Sequence, residues 1–337
     1  MSLNFQIETS SSNFSCPVYC VPTDTSHLTA APYIVYGIQG LIFTVICVLT
    51  ILSVCKHPRL RRRKEYVLVA ALALANLFTE IGFVVSSMYR LPMFLANQPQ
   101  DFIPEKDIAK SAVRCKRSWD CMLSVHSFLW VFGYPTGYFM LLCLSFDRLF
   151  CVTFPVSHSA WARRYALYLS GCFYMAGFSA ALASVVLSYI TSYDCNLCPS
   201  FPAVCMLNTA VGSVVGYWVI YAIETVAILL SIAMYAVVPF VYQYRMRTLD
   251  SLTCLVYLKG QRKLLLTFGI SSGFSLLFLA VPMTWRLAVH SRLGFNAFPW
   301  TGVVRNLNAA VIFLLLLRHK KFRRGLISLF SCRPLRH

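Results

Sequence analysis

An acid beside an arginine is the clearest chemical signal in the chain. Asp147 and Arg148 stand at the end of a long apolar stretch, with Leu149 next and Pro155 seven residues after the arginine. An arginine in such a place can be held by the neighbouring carboxylate and released to another partner when the segments around it move apart. The pattern therefore predicts a switchable ion pair formed by Asp147 and Arg148.

Four more charges interrupt stretches that are otherwise apolar, namely Glu80, Glu224, Arg286 and Arg305. Burying one such charge in hydrocarbon costs about 2.5–3.5 kcal/mol on insertion scales, so each needs a partner or a water-filled cavity. Arg286 has a further option, because it lies near the end of its stretch and a long side chain can extend to a polar surface. Arg305 lies deeper, where that option is poorer, so it is the stronger candidate for a functional role.

The sequence contains none of the common catalytic patterns. It has no paired-carboxylate spacing, no glycine-rich phosphate loop, no His-x-x-x-His zinc pattern and no serine elbow. Cys195 and Cys198 have the spacing of a zinc or redox pair, but a companion Cys/His pair is missing. We therefore predict that the chain is not an enzyme and that it has no cofactor and no metal site.

Composition indicates that lipid is the solvent for most of the chain. Of its 337 residues, 58% are hydrophobic and only 12% are charged, and the mean hydropathy is +0.64. Soluble domains carry about 25% charged residues. The net charge of +18 would also fit a nucleic-acid-binding protein, but the cations lie in short runs between long apolar segments. Anionic membrane lipid is the better counter-charge, so no nucleic acid partner is expected.

Seven apolar stretches are long enough to carry these charges into a membrane. A helix needs about 20 apolar residues to cross a hydrocarbon core, and the alternating ten-residue segments of a strand-built barrel are not seen. The fold class that follows is an all-α membrane protein with a seven-transmembrane helix bundle. We predict the spans 32–55, 66–90, 119–148, 165–190, 212–242, 263–288 and 298–317.

The distribution of cations predicts the orientation of this bundle. The first connection, 56–64, holds six Lys or Arg residues, whereas 1–30 and 191–212 hold none. Cytoplasmic connections carry an excess of Lys and Arg, so the N-terminus is predicted to lie outside the cell. The connection 90–120 argues the other way with six cations, but four acids dilute them.

Two terminal segments flank the predicted membrane domain, 32–318. The polar segment 1–31 is predicted to be an extracellular tail, in which Asn13 begins a glycosylation sequon. The segment 319–337 alternates cations with apolar residues at its start, which predicts an amphipathic helix on the inner leaflet followed by a cytoplasmic tail. Cys332 lies just beyond that helix and is either a palmitoylation site or an unmodified thiol.

These motifs, taken together, carry a resemblance to a known family. The chain resembles the rhodopsin-like G-protein-coupled receptors and is most similar to the nematode serpentine chemoreceptors of the Srsx type. The most specific part of the resemblance is Asp147-Arg148-Leu149, followed by Phe154-Pro155. Segments similar to the motifs of the second, sixth and seventh spans are Leu72–Asn76, Leu279–Pro282 and Asn308–Leu315, with Phe322-Arg323 after them.

Several residues depart from the family's pattern. Asn76 stands where the family usually has the sodium-site aspartate, and Ala280 stands at the usual tryptophan of the sixth span. The Asn-Pro pair and the tyrosine of the seventh span are absent, and Val311, Ile312 and Leu315 stand there. The departures leave the implied seven-helix fold intact, but they remove the usual basis for sodium modulation and for the activation relay.

The resemblance implies a plasma-membrane receptor of the chemosensory or peptide type. Such a receptor transmits the binding of an extracellular ligand to a heterotrimeric G protein in the cytosol. Asp147, Arg148 and Leu149 would form its G-protein switch. The ligand pocket would lie between the outer halves of the spans, and its candidate residues are Tyr134, Glu224, Trp285, Arg286, Arg305 and Glu80.

Two pairings are also implied by the resemblance. Cys121 fits the family's outer third-span cysteine, slightly displaced, and would form a disulfide with Cys205 or Cys198 of the 191–211 loop; Cys115 is a further candidate partner. Arg305, ten residues before Leu315, lies at the depth of the retinal-binding lysine of rhodopsins, and Glu80 lies at a similar depth on the second span. Arg305 would therefore pair with Glu80 or with an anionic ligand group.

Two other classes of membrane protein compete with the receptor. A transporter of a small solute would be favoured by an inverted repeat or by two interrupted helices, and neither is found in the sequence. A channel or structural protein would be favoured by rings of charge, a filter segment or a reversed orientation. The sequence has no such ring or filter, and its cations oppose the reversed orientation.

Overall fold

The structure, a computed structural model, is almost entirely helical. It describes residues 31–96, 115–161, 163–193, 200–202, 214–248, 252–275, 277–278, 281, 307 and 310–330. In chain order the elements are α1 (Ala31–Lys56), α2 (Pro58–Arg61), α3 (Lys64–Ala96), β1 (Cys115–Arg117), α4 (Ser118–Met122), α5 (Val125–Thr153), α6 (Pro155–Ala160), α7 (Arg163–Tyr193), β2 (Ser200–Pro202), α8 (Val214–Thr248), α9 (Leu252–Ser275) and α10 (Lys320–Phe330). Residues 310–317 are helical as well.

Five of these helices are long and apolar enough to cross a membrane. The candidate spans lie within α1, α3, α5, α7 and α8, and they run over Tyr33–Lys56, Lys64–Pro92, Val125–Thr153, Arg164–Ile190 and Tyr221–Thr248. The prediction of a helical membrane protein with several spans is therefore confirmed. Much of 263–288 and of 298–317 lies outside the described residues, so the sixth and seventh spans stay predictions.

The apolar surface of the bundle is the kind that lipid covers. Large hydrophobic side chains point outward on three of the long helices, where Ile38 of α1 is 58% exposed, Met175 of α7 is 62% exposed and Phe240 of α8 is 73% exposed. A soluble protein rarely exposes a continuous apolar surface of this extent. These exposed apolar side chains are therefore consistent with helices that face lipid.

Helix α5 is the centre of the described bundle. It packs against α3, α7 and α8, and α1 packs on the far side of α3. In the most apolar 18-residue window of α5, 61% of the residues are buried, compared with 22% in α7 and in α8. Side chains on several faces of α5 therefore meet protein, which lets this helix carry buried polar groups.

The third predicted span begins later than the sequence indicated. It was expected over 119–148, but a short helix, α4, precedes a break at Leu123 and Ser124, and α5 runs from Val125 to Thr153. Ser124 is extended (φ −67°, ψ 134°), and its hydroxyl donates to the carbonyl oxygen of Cys121 (2.6 Å). A serine that bonds the local backbone competes with helix in this way. Apolar runs do not report such a break.

A two-stranded ribbon ties the 191–211 loop to the start of α4. β1 pairs antiparallel with β2, with Lys116 opposite Phe201. The backbone amide of Trp119 also donates to the hydroxyl of Ser192 at the end of α7 (2.9 Å). The sulfur of Cys121 is in a disulfide. The second cysteine of that disulfide is not among the described side chains, so its pairing with Cys205 or Cys198 stays a prediction.

Glycines bring α7 close to α5. A Cβ atom added at Gly177 of α7 would lie 2.7 Å from the Cα atom of Thr136 on α5, whereas one added at Gly171 of the same helix would meet nothing within 4 Å. Small residues at helix contacts let backbones approach closely in membrane proteins. Gly177 therefore sets the separation of these two helices.

We expect Gly177→Ala to lower the melting temperature of the purified chain in detergent. The new methyl group would push α7 away from backbone atoms of α5, and such overpacking costs about 1–3 kcal/mol. Gly171→Ala is the matched control, and it should be neutral or stabilising by up to about 1 kcal/mol, because alanine favours helix over glycine. Equal melting temperatures for the two variants would contradict the close contact.

Candidate functional site

Seven polar side chains from four elements meet at the α2 end of the bundle. They are Lys64 and Glu65 of α3, Asp147 and Arg148 of α5, His158 of α6, and Tyr257 and Gln261 of α9; we call this set the buried network. The side chains of Asp147 and Arg148 are both 0% exposed. The acid–arginine pair of the sequence is therefore an internal structure of the bundle.

Arg148 connects three helices. Its Nε donates to Oδ2 of Asp147 (2.9 Å), and its Nη2 donates to the same oxygen. Its Nη1 donates to Oε1 of Gln261 on α9 (3.5 Å), and Nε2 of Gln261 donates to Oε1 of Glu65 on α3 (3.1 Å). The guanidinium is thus held by its neighbouring acid and, through one amide, is linked to a second acid across the bundle.

The other oxygen of Asp147 binds the short helix α6. Nε2 of His158 lies 3.1 Å from Oδ1 of Asp147, and Nδ1 of His158 lies 2.7 Å from the hydroxyl of Tyr257 on α9. Burial raises the pKa of the Tyr257 hydroxyl, so this hydroxyl stays protonated. His158 then donates from Nε2 to the carboxylate. This chain of bonds fixes α6 between α5 and α9.

Lys64 holds α6 from the other side. Its Nζ donates to the backbone carbonyl of His158 and to that of Trp161 (3.4 Å), and it lies 5.7 Å from the centre of the Tyr165 ring. The residue is only 7% exposed. The sequence counted Lys64 among the cations of the first connection, and the structure buries it at the first residue of α3.

The charges of the buried network balance. Two cations, Lys64 and Arg148, face two carboxylates, Glu65 and Asp147, and none of these residues is more than 7% exposed. A buried charge is tolerated when it is paired and hydrogen-bonded, but removing one partner is costly. These bonds therefore hold α6 and α9 against α3 and α5, which we call the closed arrangement. In an open arrangement, α9 would move away and the charged groups would bind other partners. In the described residues no cluster of His, Cys, Asp and Glu could hold a metal ion.

Apolar packing surrounds the arginine on the side of α8 and α9. Leu149, next to Arg148, packs on the buried cluster formed by Val152, Val238 and Leu258. One turn before the pair, the hydroxyl of Ser145 is hydrogen-bonded to that of Ser231 on α8. Leu149 thus lies where α5, α8 and α9 meet.

At the opposite half of the bundle, three candidate pocket residues are described. Glu80 of α3 is 2% exposed and Glu224 of α8 is 4% exposed. Tyr134 of α5 is half-buried between two apolar clusters, one with Phe83 and Trp130 and the other on the side of α8. Both carboxylates therefore face protein. The remaining predicted residues lie outside the described residues, namely Asn13, Cys198, Cys205, Trp285, Arg286, Arg305 and Cys332.

A buried arginine in this half was not singled out from the sequence. Arg90 is 3% exposed, and its guanidinium carbon lies 5.4 Å from the centre of the Tyr33 ring and 5.0 Å from that of the Trp130 ring. The sequence placed Arg90 at the end of the second predicted span, 66–90, and counted it with the cations of the connection 90–120, but α3 continues to Ala96 through Pro92. The apolar residues that follow, Leu91 to Ala96, were the available signal that the helix goes on.

The network members besides Asp147 and Arg148 were also missed as site residues. His158, Tyr257 and Gln261 are single polar residues in short or weakly patterned segments, and Glu65 stands beside a run of arginines. The one available signal was the proline before His158, since Pro155 begins α6 at a position that favours helix.

No known family model matches the chain, and no curated protein matches it either.

Proposed function

We propose that the chain is a G-protein-coupled receptor of the rhodopsin-like type, with a chemosensory or peptide-type ligand. In this proposal the bundle has seven spans, the sixth and seventh over 263–288 and 298–317, and it lies in the plasma membrane. The N-terminus is outside the cell, because the cation-rich connection 56–64 belongs at the cytosolic face.

The observation that carries the proposal is that Arg148 is hydrogen-bonded to residues of two different helices. Asp147 binds it from its own helix, and Gln261 binds it from α9, whose second half belongs to the proposed sixth span. An outward movement of α9 would break the Gln261 bond and leave an arginine facing the cytosol. A cation that is hidden in one arrangement and available in the other is a switch that a cytosolic partner can stabilise.

The ligand side of the proposal uses the opposite half of the bundle. Tyr134, Glu224 and Glu80 lie on three different helices, α5, α8 and α3, and Trp285, Arg286 and Arg305 would complete the pocket. Pockets of this kind are largely apolar with a few placed polar groups. The pairing of Arg305 with Glu80 or with an anionic ligand group, the glycosylation of Asn13 and the palmitoylation of Cys332 belong to the same proposal.

The test is ligand-independent nucleotide exchange on heterotrimeric G proteins by membranes that contain the full chain. We expect exchange above that of empty membranes, and we expect Arg148→Ala to reduce it to the empty-membrane rate. The matched control is Arg247→Ala, an exposed cation at the end of α8, which should leave exchange unchanged. Surface labelling normalises all three chains to equal amounts. Exchange that survives Arg148→Ala, or its absence with every G-protein class, would refute the proposal.

A further inference from the structure

The first connection exposes a dense group of cations. The described side chains around α2 that carry a positive charge and face outward are Lys56, Arg59, Arg61, Arg62 and Arg63. Their neighbour Lys64 is turned inward and serves the buried network. The five exposed cations, in contrast, face the surface of the described structure.

Helix α10 is packed against this group. A Cβ atom added at Gly325 would lie 2.7 Å from Cδ1 of Leu60 on α2 and 3.7 Å from Cβ of His57. Phe322 is fully buried and stacks on Tyr66 of α3, with ring centres 6.5 Å apart. These contacts fix α10 beside α2. They also bring three more exposed cations, Lys320, Arg323 and Arg324, to the same place.

Acidic residues do not balance these eight cations, which we call the basic patch. The sequence has no Asp or Glu in 56–64 or after Arg318. The next acid along the chain, Glu65, is buried and accepts a hydrogen bond from Gln261. Asp147 is likewise buried, and it pairs with Arg148 and His158 inside the bundle. The patch is thus a concentrated positive charge that a ligand from outside the chain can neutralise.

We propose that the basic patch binds the headgroup of a membrane lipid that carries several phosphates, such as a phosphorylated phosphatidylinositol. Apolar residues stand beside the cations on α10, where Ile327 is 55% exposed. A helix with one cationic face and one apolar face lies at the boundary between headgroups and acyl chains. A lipid therefore fits this surface better than a soluble acidic protein.

Several phosphates on one headgroup explain why two elements share the patch. A lipid with a single negative charge neutralises only one of the eight cations. Phosphates grouped on one ring can accept hydrogen bonds from arginines of both α2 and α10, and arginine is well suited to phosphate geometry. The inference does not require the receptor proposal, since it concerns the bound lipid and not signalling.

The experiment measures binding of a fluorescent short-chain phosphatidylinositol bisphosphate to the full chain in detergent. The test variant removes four charges from both elements: Arg61→Gln, Arg62→Gln, Arg323→Gln and Arg324→Gln. The matched control removes four charges from α8 and α9 near the buried network: Arg245→Gln, Arg247→Gln, Lys259→Gln and Arg262→Gln. Because each basic residue near a surface contributes measurably to anionic lipid binding, we expect the test variant to lose at least about tenfold in affinity. The control should lose less than about twofold.

Further arms identify the occupant. Short-chain phosphatidylserine should bind at least about tenfold more weakly than the bisphosphate lipid. Glycerophosphoinositol bisphosphate, which has the same headgroup but no acyl chains, should also bind at least about tenfold more weakly. Either half of the test variant, Arg61→Gln with Arg62→Gln or Arg323→Gln with Arg324→Gln, should weaken binding, and these surface pairs remain available if the fourfold variant fails to fold. Equal losses in test and control variants, full binding after removal of either pair, or equally tight binding of phosphatidylserine would overturn the proposal. So would a polyglutamate peptide that displaces the lipid at equal concentration, because it would indicate an acidic protein partner.

Discussion

Asp147→Asn is expected to raise ligand-independent nucleotide exchange and to lower the melting temperature of the chain. The asparagine keeps an oxygen that can accept from His158 but removes one negative charge, so the buried network changes from neutral to a net charge of plus one. Breaking a buried ion pair costs about 3–5 kcal/mol. If only about 1.4 kcal/mol of that cost falls on the closed arrangement alone, the equilibrium shifts tenfold toward the open one.

Two measurements on the same preparation distinguish a switch from an anchor. Thermal unfolding in detergent reports the loss of stability, and exchange at equal surface amounts reports the shift toward the open arrangement. Asp120→Asn is the control, because Asp120 is an exposed acid on α4, at the end of the bundle opposite the buried network. A lower melting temperature with unchanged exchange would mean that Asp147 and Arg148 only fasten the end of α5.

The sequence was sufficient to predict the long helices. A span is recognised by a property of its own residues, a run of about 20 apolar side chains, and the described parts of the chain contain helices at the first five predicted positions. The error in the third span has a local cause, the bonding of Ser124 to the backbone of Cys121. The continuation of α3 beyond Arg90 was hidden because a charged residue looks like the end of an apolar run.

The partners of the arginine could not be predicted in the same way. Asp147 is adjacent to Arg148, so the pair is visible in the sequence, whereas Gln261 is 113 residues away and reaches Arg148 only when α9 packs on α5. Lys64 stands in a run of four cations, Arg61 to Lys64, and nothing in that run distinguishes it. It is buried because α3 begins there and its first turn faces α6. Burial of a polar residue is decided by packing between elements, which residue type and spacing do not report.

Lys64 provides the most demanding test of the charge balance in the buried network. Lys64→Met removes the donor to the carbonyls of His158 and Trp161 and leaves the network with a net charge of minus one. We expect the free energy of unfolding to fall by about 3–5 kcal/mol. The two buried carbonyls lose their hydrogen-bond donor, and a buried carboxylate loses the positive charge that balances it. Arg63→Met is the control: it removes an exposed cation one residue earlier, and its effect should stay within about 0.5 kcal/mol.

A second substitution separates the charge from the hydrogen bonds. Glu65→Gln keeps the oxygen that accepts from Gln261 but removes the negative charge, so combining it with Lys64→Met makes the network neutral again. If charge balance dominates, the double variant should be more stable than the sum of the two single effects by about 0.5–3 kcal/mol, the range found for residues in one network. Unfolding in detergent by increasing denaturant measures all four chains of the cycle. Strictly additive effects would mean that Lys64 acts through its two carbonyl partners alone, as a fastener of α6, and that its charge is not felt by the acids beside Arg148.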